Sequence, residues 1–285
     1  MQIVNIDGTL YSAEDAKISV FDHGFLYGDN IYETLRTYRG RIFLIERHLL
    51  RLQLSAEFIQ LTLPLNVKEF QKELERTAAE GKNQESYIRL IVTRGRGAIT
   101  LDPDRSERAS FVIIVNPLEP YPREYYEKGV KVAMVSIRRN DRQTLNPRIK
   151  SGNLLNNVLA FAQAKSERAF EGILCNLAGN VTEATSSNVF IVKNEILITP
   201  SLESGLLSGV TRGLVLELAA SKQIPIEERD VHPSEMMQCD ECFITSTTKG
   251  VMPVNQISER QLKSAPGAVT RQVMEAYQQF VDERY

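Results

Sequence analysis

The pattern of apolar and polar positions changes period near Leu44. Before it, short apolar runs such as Gln2-Ile3-Val4-Asn5 and the stretch from Ile31 to Tyr38 stop at Asp7-Gly8 and Arg39-Gly40, which predicts strands joined by hairpin turns. From Leu44 onward, Leu44, Ile45, His48, Leu49, Leu52, Ala56 and Ile59 recur at spacings of three and four, the stripe of an amphipathic helix running to about Phe58. A second helix is predicted over 67–79, ended by Gly81. Two β-rich runs, 87–93 and 110–115, flank the loop Arg94-Gly95-Arg96-Gly97. Pro117-Leu118-Glu119-Pro120-Tyr121-Pro122 can continue neither a helix nor a central strand, so it reads as a linker. The expected organisation is a small N-terminal α/β domain over 1–116, a linker over 117–122 and a larger C-terminal domain over 123–285. In the latter, strands are predicted at 130–137, 172–176, 181–192 and 196–199, and helices at 153–167, 211–222 and 268–282, which makes the chain α+β.

Composition narrows the function. At roughly 150 residues per domain, 285 residues also suggest two domains. The balance of 34 basic against 36 acidic residues, a net charge of −2, gives no field that would draw in nucleic acid or anionic lipid, leaving small molecules and protein partners. No apolar run is long enough to span a bilayer, and the first residues lack the pattern of a secretion signal, so a cytoplasmic location is expected. Three cysteines do not make a disulfide framework, and Cys239-Asp240-Glu241-Cys242 is one CxxC without a second pair or a nearby histidine. With His23, His48 and His232 scattered, no metal is expected.

Four local features could carry chemistry. Ser208-Gly209-Val210-Thr211-Arg212 opens a helix with small residues, free N–H groups and a hydroxyl, which suits a phosphate, although a helix N-cap is the plainer reading of this segment alone. Lys150, in Asn146-Pro147-Arg148-Ile149-Lys150-Ser151-Gly152-Asn153, lies on a short extended piece where partial desolvation would favour the neutral amine that a Schiff-base nucleophile needs. A solvated lysine is the plainer reading. Glu183, a single acid in a strand rich in Thr and Ser, could partner a protonated ring nitrogen or simply face solvent. Arg51 follows His48 by one helical turn, and its position is accounted for by an arginine stem lying along an apolar stripe.

Taken together and in order, these motifs resemble one family. Phe21-Asp22-His23-Gly24-Phe25-Leu26-Tyr27-Gly28-Asp29, Glu33 with Arg36, His48-x-x-Arg51-Leu52, Lys150-Ser-Gly-Asn153, Val181-Thr-Glu183 with Ser187-Asn188-Val189-Phe190, and Gly209-Val210-Thr211-Arg212 are similar to the class IV, fold-type IV aminotransferases that use pyridoxal 5′-phosphate. The resemblance implies a small α/β domain and a larger pseudo-barrel domain with the active site between them, in a homodimer. It implies that Lys150 is the Schiff-base lysine and proton shuttle, that Glu183 pairs with the pyridine nitrogen, and that Arg51, Val210 and Thr211 hold the phosphate while Leu207 packs on the ring. Ser246, Thr247 and Thr248 correspond to the segment that meets phosphate and substrate carboxylate.

Within the family, Tyr87-Ile88-Arg89 resembles the Tyr-x-Arg of branched-chain aminotransferases, and Tyr27 and Arg36 match positions shaping the same pocket. The reaction so implied is transamination between a branched-chain L-amino acid and 2-oxoglutarate. Departures point to alternatives: Leu154, Thr182 and Ser186-Ser187-Asn188 resemble D-amino acid aminotransferases, and Val251-Met252-Pro253-Val254 resembles aminodeoxychorismate lyases. A non-catalytic protein retaining the fold is the remote alternative.

Overall fold

The computed structural model describes residues 1–285 and divides them into two compact units. The first comprises Met1–Glu119 together with Ile149–Asn153 and Tyr285; the second comprises Pro120–Arg148 and Leu154–Arg284. The division at Glu119 and Pro120 falls within the proline-rich stretch. Ile149–Asn153, which carry Lys150, come later in the sequence yet fold with the first unit.

The first unit contains β1 (Ile3–Ile6), β2 (Thr9–Tyr11), α1 (His23–Tyr27), β3 (Asn30–Tyr38), β4 (Arg41–Ile42), α2 (Ile45–Phe58), α3 (Val67–Gly81), β5 (Ser86–Thr93) and β6 (Ser110–Pro117). Its antiparallel sheet has the order β2-β1-β6-β5-β3-β4. Alternation sorts the two faces. Ile31 and Leu35 of β3, Ile88, Leu90 and Val92 of β5, and Phe111, Ile113 and Val115 of β6 form one core with Leu49, Leu52 and Ala56 of α2 and Phe70 and Leu74 of α3. The opposite face carries Tyr32, Thr34 and Arg36 beside Tyr87 and Arg89, since Thr34 pairs with Arg89 and Arg36 with Tyr87.

In the second unit are α4 (Arg123–Lys128), β7 (Val130–Arg138), α5 (Leu155–Ser166), β8 (Glu171–Cys175), β9 (Val181–Ala184), β10 (Asn188–Lys193), β11 (Ile196–Pro200), α6 (Val210–Ser221), β12 (Ile226–Arg229), α7 (Pro233–Met236), β13 (Glu241–Ser246), β14 (Gly250–Ile257), β15 (Arg260–Gln261) and α8 (Ala268–Arg284). The sheet runs β12-β11-β10-β13-β14-β7-β8-β9, with β15 on β14. Its far ends meet: Val181, at the start of β9, pairs with Val231 just beyond β12, and the Val181 N–H donates to the Val231 carbonyl at 2.8 Å. The sheet therefore curls into a barrel-like wall around a core that includes Val132, Ile173, Ile191, Ile244, Met252 and Val254. Helix α5 lies close over β8 because Gly172 presents no side chain; a Cβ there would stand 2.8 Å from Val135 and 3.2 Å from the Ala160 carbonyl oxygen.

Two elements differ from the periodicity. The run 181–192 is not one strand: the Ala184 N–H donates to the Ser187 carbonyl at 2.7 Å, closing a turn that splits it into β9 and β10. Helix α3 passes through Gly81, and Lys82 takes the left-handed conformation instead, with φ of 50°. Gly81 serves packing, since a Cβ would approach Val115 to 3.0 Å.

Candidate active site

In the first unit the segment around Lys150 occupies the edge of β3 ahead of its contact with β4. Ser151 pairs with Ile31, the Tyr32 N–H donates to the Lys150 carbonyl at 2.9 Å, and the Gly152 N–H donates to the Asn30 carbonyl at 3.0 Å. The Lys150 N–H donates to Ser55 Oγ of α2 at 3.1 Å. Backbone bonds on both sides thus fix the lysine, and its Nζ stands 4.5 Å from the centre of the Tyr32 ring. The Arg89 guanidinium lies 3.9 Å from the same ring. One tyrosine therefore stabilises two cations through its π face. Tyr32 is not among the site residues expected from the sequence; the alternation on β3 is the signal that could have found it.

Behind Lys150, Glu33 is buried between His48 and Arg51 of α2. Arg51 donates to Glu33 through Nε at 2.8 Å and through a terminal nitrogen at 2.6 Å, and His48 Nδ1 lies 2.7 Å from the second carboxylate oxygen. Burial alone would raise the Glu33 pKa, but the charge and hydrogen bonds of Arg51 and His48 outweigh it and lower it to about 2. Burial lowers His48, so its ring is neutral, with Nδ1–H donating to the carboxylate. The start of α2 is anchored too: Leu44, at φ of 47°, donates its N–H to the Tyr285 hydroxyl at 2.9 Å.

Of the other residues expected here, Arg89 reaches Tyr32, and Tyr87 lies on the same sheet face. Tyr27, at the end of α1, packs edge-on against His23 at 5.2 Å. Arg36 turns along its strand, donating to the Thr37 carbonyl and stacking 3.8 Å over Tyr38. At about 3.3 Å per residue it lies roughly 13 Å along β3 from Tyr32, so it is not gathered with Lys150.

In the second unit, Glu183 lies on β9 with both oxygens engaged. Arg139 donates to one at 2.7 Å, and the Leu207 N–H and Asn188 Nδ2 donate to the other at 3.1 and 3.3 Å. Asn188 also donates to the Leu207 carbonyl at 3.0 Å, which fixes Leu207 beside the acid. Gly209 is required for this approach, because a Cβ would fall 1.9 Å from Asn188 Oδ1. Neither Arg139, in an Arg-Arg pair, nor Asn188 announces its role in the sequence.

Gly209 is the N-cap of α6 and no side chain caps the helix. The N–H groups of its first turn, from Val210 onward, carry the positive end of the helix dipole, and beside them the buried Thr211 hydroxyl has no hydrogen-bond partner. An orphaned hydroxyl at an uncapped helix start fits a phosphate dianion. Ser246, Thr247 and Thr248 lie at the end of β13 and in the turn leading to β14, where Ser246 Oγ accepts from the Lys249 N–H at 3.3 Å.

The model of the family "amino-transferase class IV" matches residues 30–257, most of both units. The chain is a class IV aminotransferase. These enzymes use pyridoxal phosphate, and the residues just described fit it. This aminotransferase is 36% identical over 275 residues to a putative branched-chain-amino-acid aminotransferase of Methanocaldococcus jannaschii, covering 96% of this chain and 94% of that protein. It is 33% identical to the D-alanine aminotransferase of Bacillus licheniformis, over 96% and 95% of the two chains. Among solved structures, the branched-chain aminotransferase of the thermophilic archaeon Thermoproteus uzoniensis with norvaline has a TM-score of 0.91 at 31% identity, covering 98% of this chain and 94% of that one. The aminotransferase thus has the fold-type IV architecture, and its substrates are small amino and oxo acids.

Proposed function

We propose that this aminotransferase moves an amino group between a branched-chain L-amino acid and 2-oxoglutarate. The observation that carries the reading is the Tyr32 ring flanked by the Lys150 amine and the Arg89 guanidinium. An aromatic wall suits a leucine or valine side chain, and the adjacent arginine suits the second carboxylate of glutamate, which is the dual demand of this reaction. The name of the M. jannaschii relative supports it.

Bound pyridoxal phosphate supplies an electron sink for the charge left at the substrate's Cα. Lys150 would hold the cofactor covalently and, released when the donor's amino group takes its place, its free amine would move the Cα proton, with its backbone already held by Tyr32 and Ser55. Glu183 keeps the ring nitrogen protonated, and Leu207 packs on the ring. Arg51 offers a planar fork to the phosphate, joined by the Val210 N–H and the Thr211 hydroxyl. Ser246 and Thr247 complete the phosphate contacts, and Thr248 meets the substrate carboxylate. Tyr27 and Arg89 line the substrate side near Lys150, and Tyr87 and Arg36, opposite each other farther along β5 and β3, are reached only by a longer substrate.

The visible spectrum of the purified protein tests this. L-leucine is expected to bleach the band of the covalently bound cofactor, and 2-oxoglutarate to restore it, with restoration at least about tenfold weaker in Arg89→Ala. The second reading, transamination of D-amino acids, is favoured by the B. licheniformis relative. Bleaching by D-alanine and not L-leucine would replace the first reading with it.

The protein is proposed to act as a homodimer in the cytoplasm. Leu155, Val158, Leu159 and Phe161 of α5 are 46% to 71% exposed, a clustered apolar face suited to a second copy. A solution mass of twice 32.2 kDa is expected, and a monomeric mass at micromolar concentration would overturn this assignment. All three cysteines are free thiols, and no helix is long and apolar enough to cross a membrane.

A further inference from the structure

A second buried ion pair lies in the second unit, among residues with no role in the chemistry above. Glu171, the first residue of β8, has a side chain 1% exposed and Lys249 one 7% exposed, with Nζ 2.8 Å from Glu171 Oε1. Glu171 also accepts from the hydroxyls of Thr185, Ser186 and Ser187 at 3.0, 3.1 and 2.6 Å and from the Ser186 N–H at 2.8 Å. Lys249 Nζ donates to Ser186 Oγ at 2.9 Å, so the lysine, the acid and the serine close a ring.

These contacts join two turns. Residues 185–187 connect β9 to β10, and residues 247–249 connect β13 to β14. Strands β10 and β13 are neighbours, with Asn188 opposite Thr245, so both turns leave the sheet at the same end. One turn lies between Glu183 and Asn188, which holds that acid; the other follows Ser246. The far side of the Lys249 turn is also tied, since the Tyr126 hydroxyl donates to the Lys249 carbonyl at 3.0 Å.

Burying two charges is costly, and apolar residues of similar size would serve stability as well. What such a pair adds is a fixed geometry. Burial opposes both charges, yet their mutual attraction, with the serine donors on Glu171, keeps the acid below and the lysine above their ordinary values. Both stay charged across the neutral range.

We propose that Glu171 and Lys249 are positioning residues: they lock the 185–187 and 247–249 turns together and so set where Ser246, Thr247 and Thr248 stand for phosphate and substrate. This rests on the roles given to those residues under Proposed function. Lys150 is held independently in the first unit, so loss of the pair alters substrate binding while leaving the covalent attachment in place.

The experiment compares wild type, Lys249→Met, Glu171→Gln and the double variant, each with pyridoxal phosphate, for the visible band, thermal midpoint, kcat and KM. In Lys249→Met the band is expected to persist, with KM for the amino donor raised about tenfold and kcat within about threefold, as for a binding group displaced by less than about 1 Å. The double variant buries no unpaired charge, so its thermal midpoint recovers while its KM stays high. Should Lys249→Met fail to fold, the double variant against wild type makes the same comparison. An unchanged KM, or a KM that recovers together with the midpoint, overturns the proposal and leaves the aminotransferase reading intact. A wild-type protein that takes up no cofactor overturns both.

Discussion

Lys150→Ala is expected to lose the absorption band of the covalently bound cofactor and to slow transamination by about 10⁴-fold, the upper range for a positioned acid–base group. The fold should hardly change. The bonds that seat the segment belong to the backbone: Tyr32 N–H to the Lys150 carbonyl, Lys150 N–H to Ser55, and Gly152 N–H to the Asn30 carbonyl. Alanine keeps all three and forfeits only the contact of the amine with the Tyr32 ring, worth about 0.5–1 kcal/mol. Stopped-flow turnover and a urea melt on the same preparation separate the two effects. Residual turnover within tenfold of wild type would remove Lys150 from the chemistry, and a collapsed melt would make its role structural.

The second large effect falls on Glu33. Its carboxylate is fully buried and takes two bonds from Arg51 and one from His48. Glu33→Gln keeps the shape but leaves the arginine without its counter-charge, a loss of about 3–5 kcal/mol in the apoprotein. With the cofactor bound the loss should be smaller, because a phosphate on Arg51 restores a negative partner. Equal losses with and without pyridoxal phosphate would separate Arg51 from the phosphate. The same group sets an acid limit. Its folded value of about 2 lies below the ordinary 4.5, so its stabilisation is complete above about pH 4.5 and is lost as pH falls toward 2. Acid melts of wild type and Glu33→Gln should therefore converge only toward pH 2.

Elements whose burial is one-sided were legible from the sequence. The stripe of α2 and the capped start of α3, where Asn66 and Glu69 exchange bonds, need only local pattern. Strands β9 and β10 are buried almost throughout, so no alternation marked where one ended, and the turn between them carries no Gly or Pro and is held by hydroxyl bonds to the distant Glu171. Short α4 follows prolines that read as linker, and β14 carries Pro253 inside a strand. Among site residues, Lys150, Glu183 and Arg51 emerged from ordered motifs. Arg139 and Lys249 did not, because each acts through a partner distant in sequence and is chemically ordinary where it stands, and Tyr32 and Asn188 stood inside or beside those motifs with no role assigned to them. Arg36 was named for its place in a motif, whereas its rotamer lays it against Tyr38.

The lodging of Ile149–Asn153 along β3 bears on how such a protein can be recombined. A cut between Glu119 and Pro120 would yield one cassette whose β3 begins as a bare edge at Asn30–Tyr32, and another carrying Lys150 with no strand to receive it. A bare edge invites strands from other chains, so the first cassette would tend to aggregate. A working chimera has to keep both pieces: the lysine segment and the strand that seats it act as one part, though more than a hundred residues separate them in the chain.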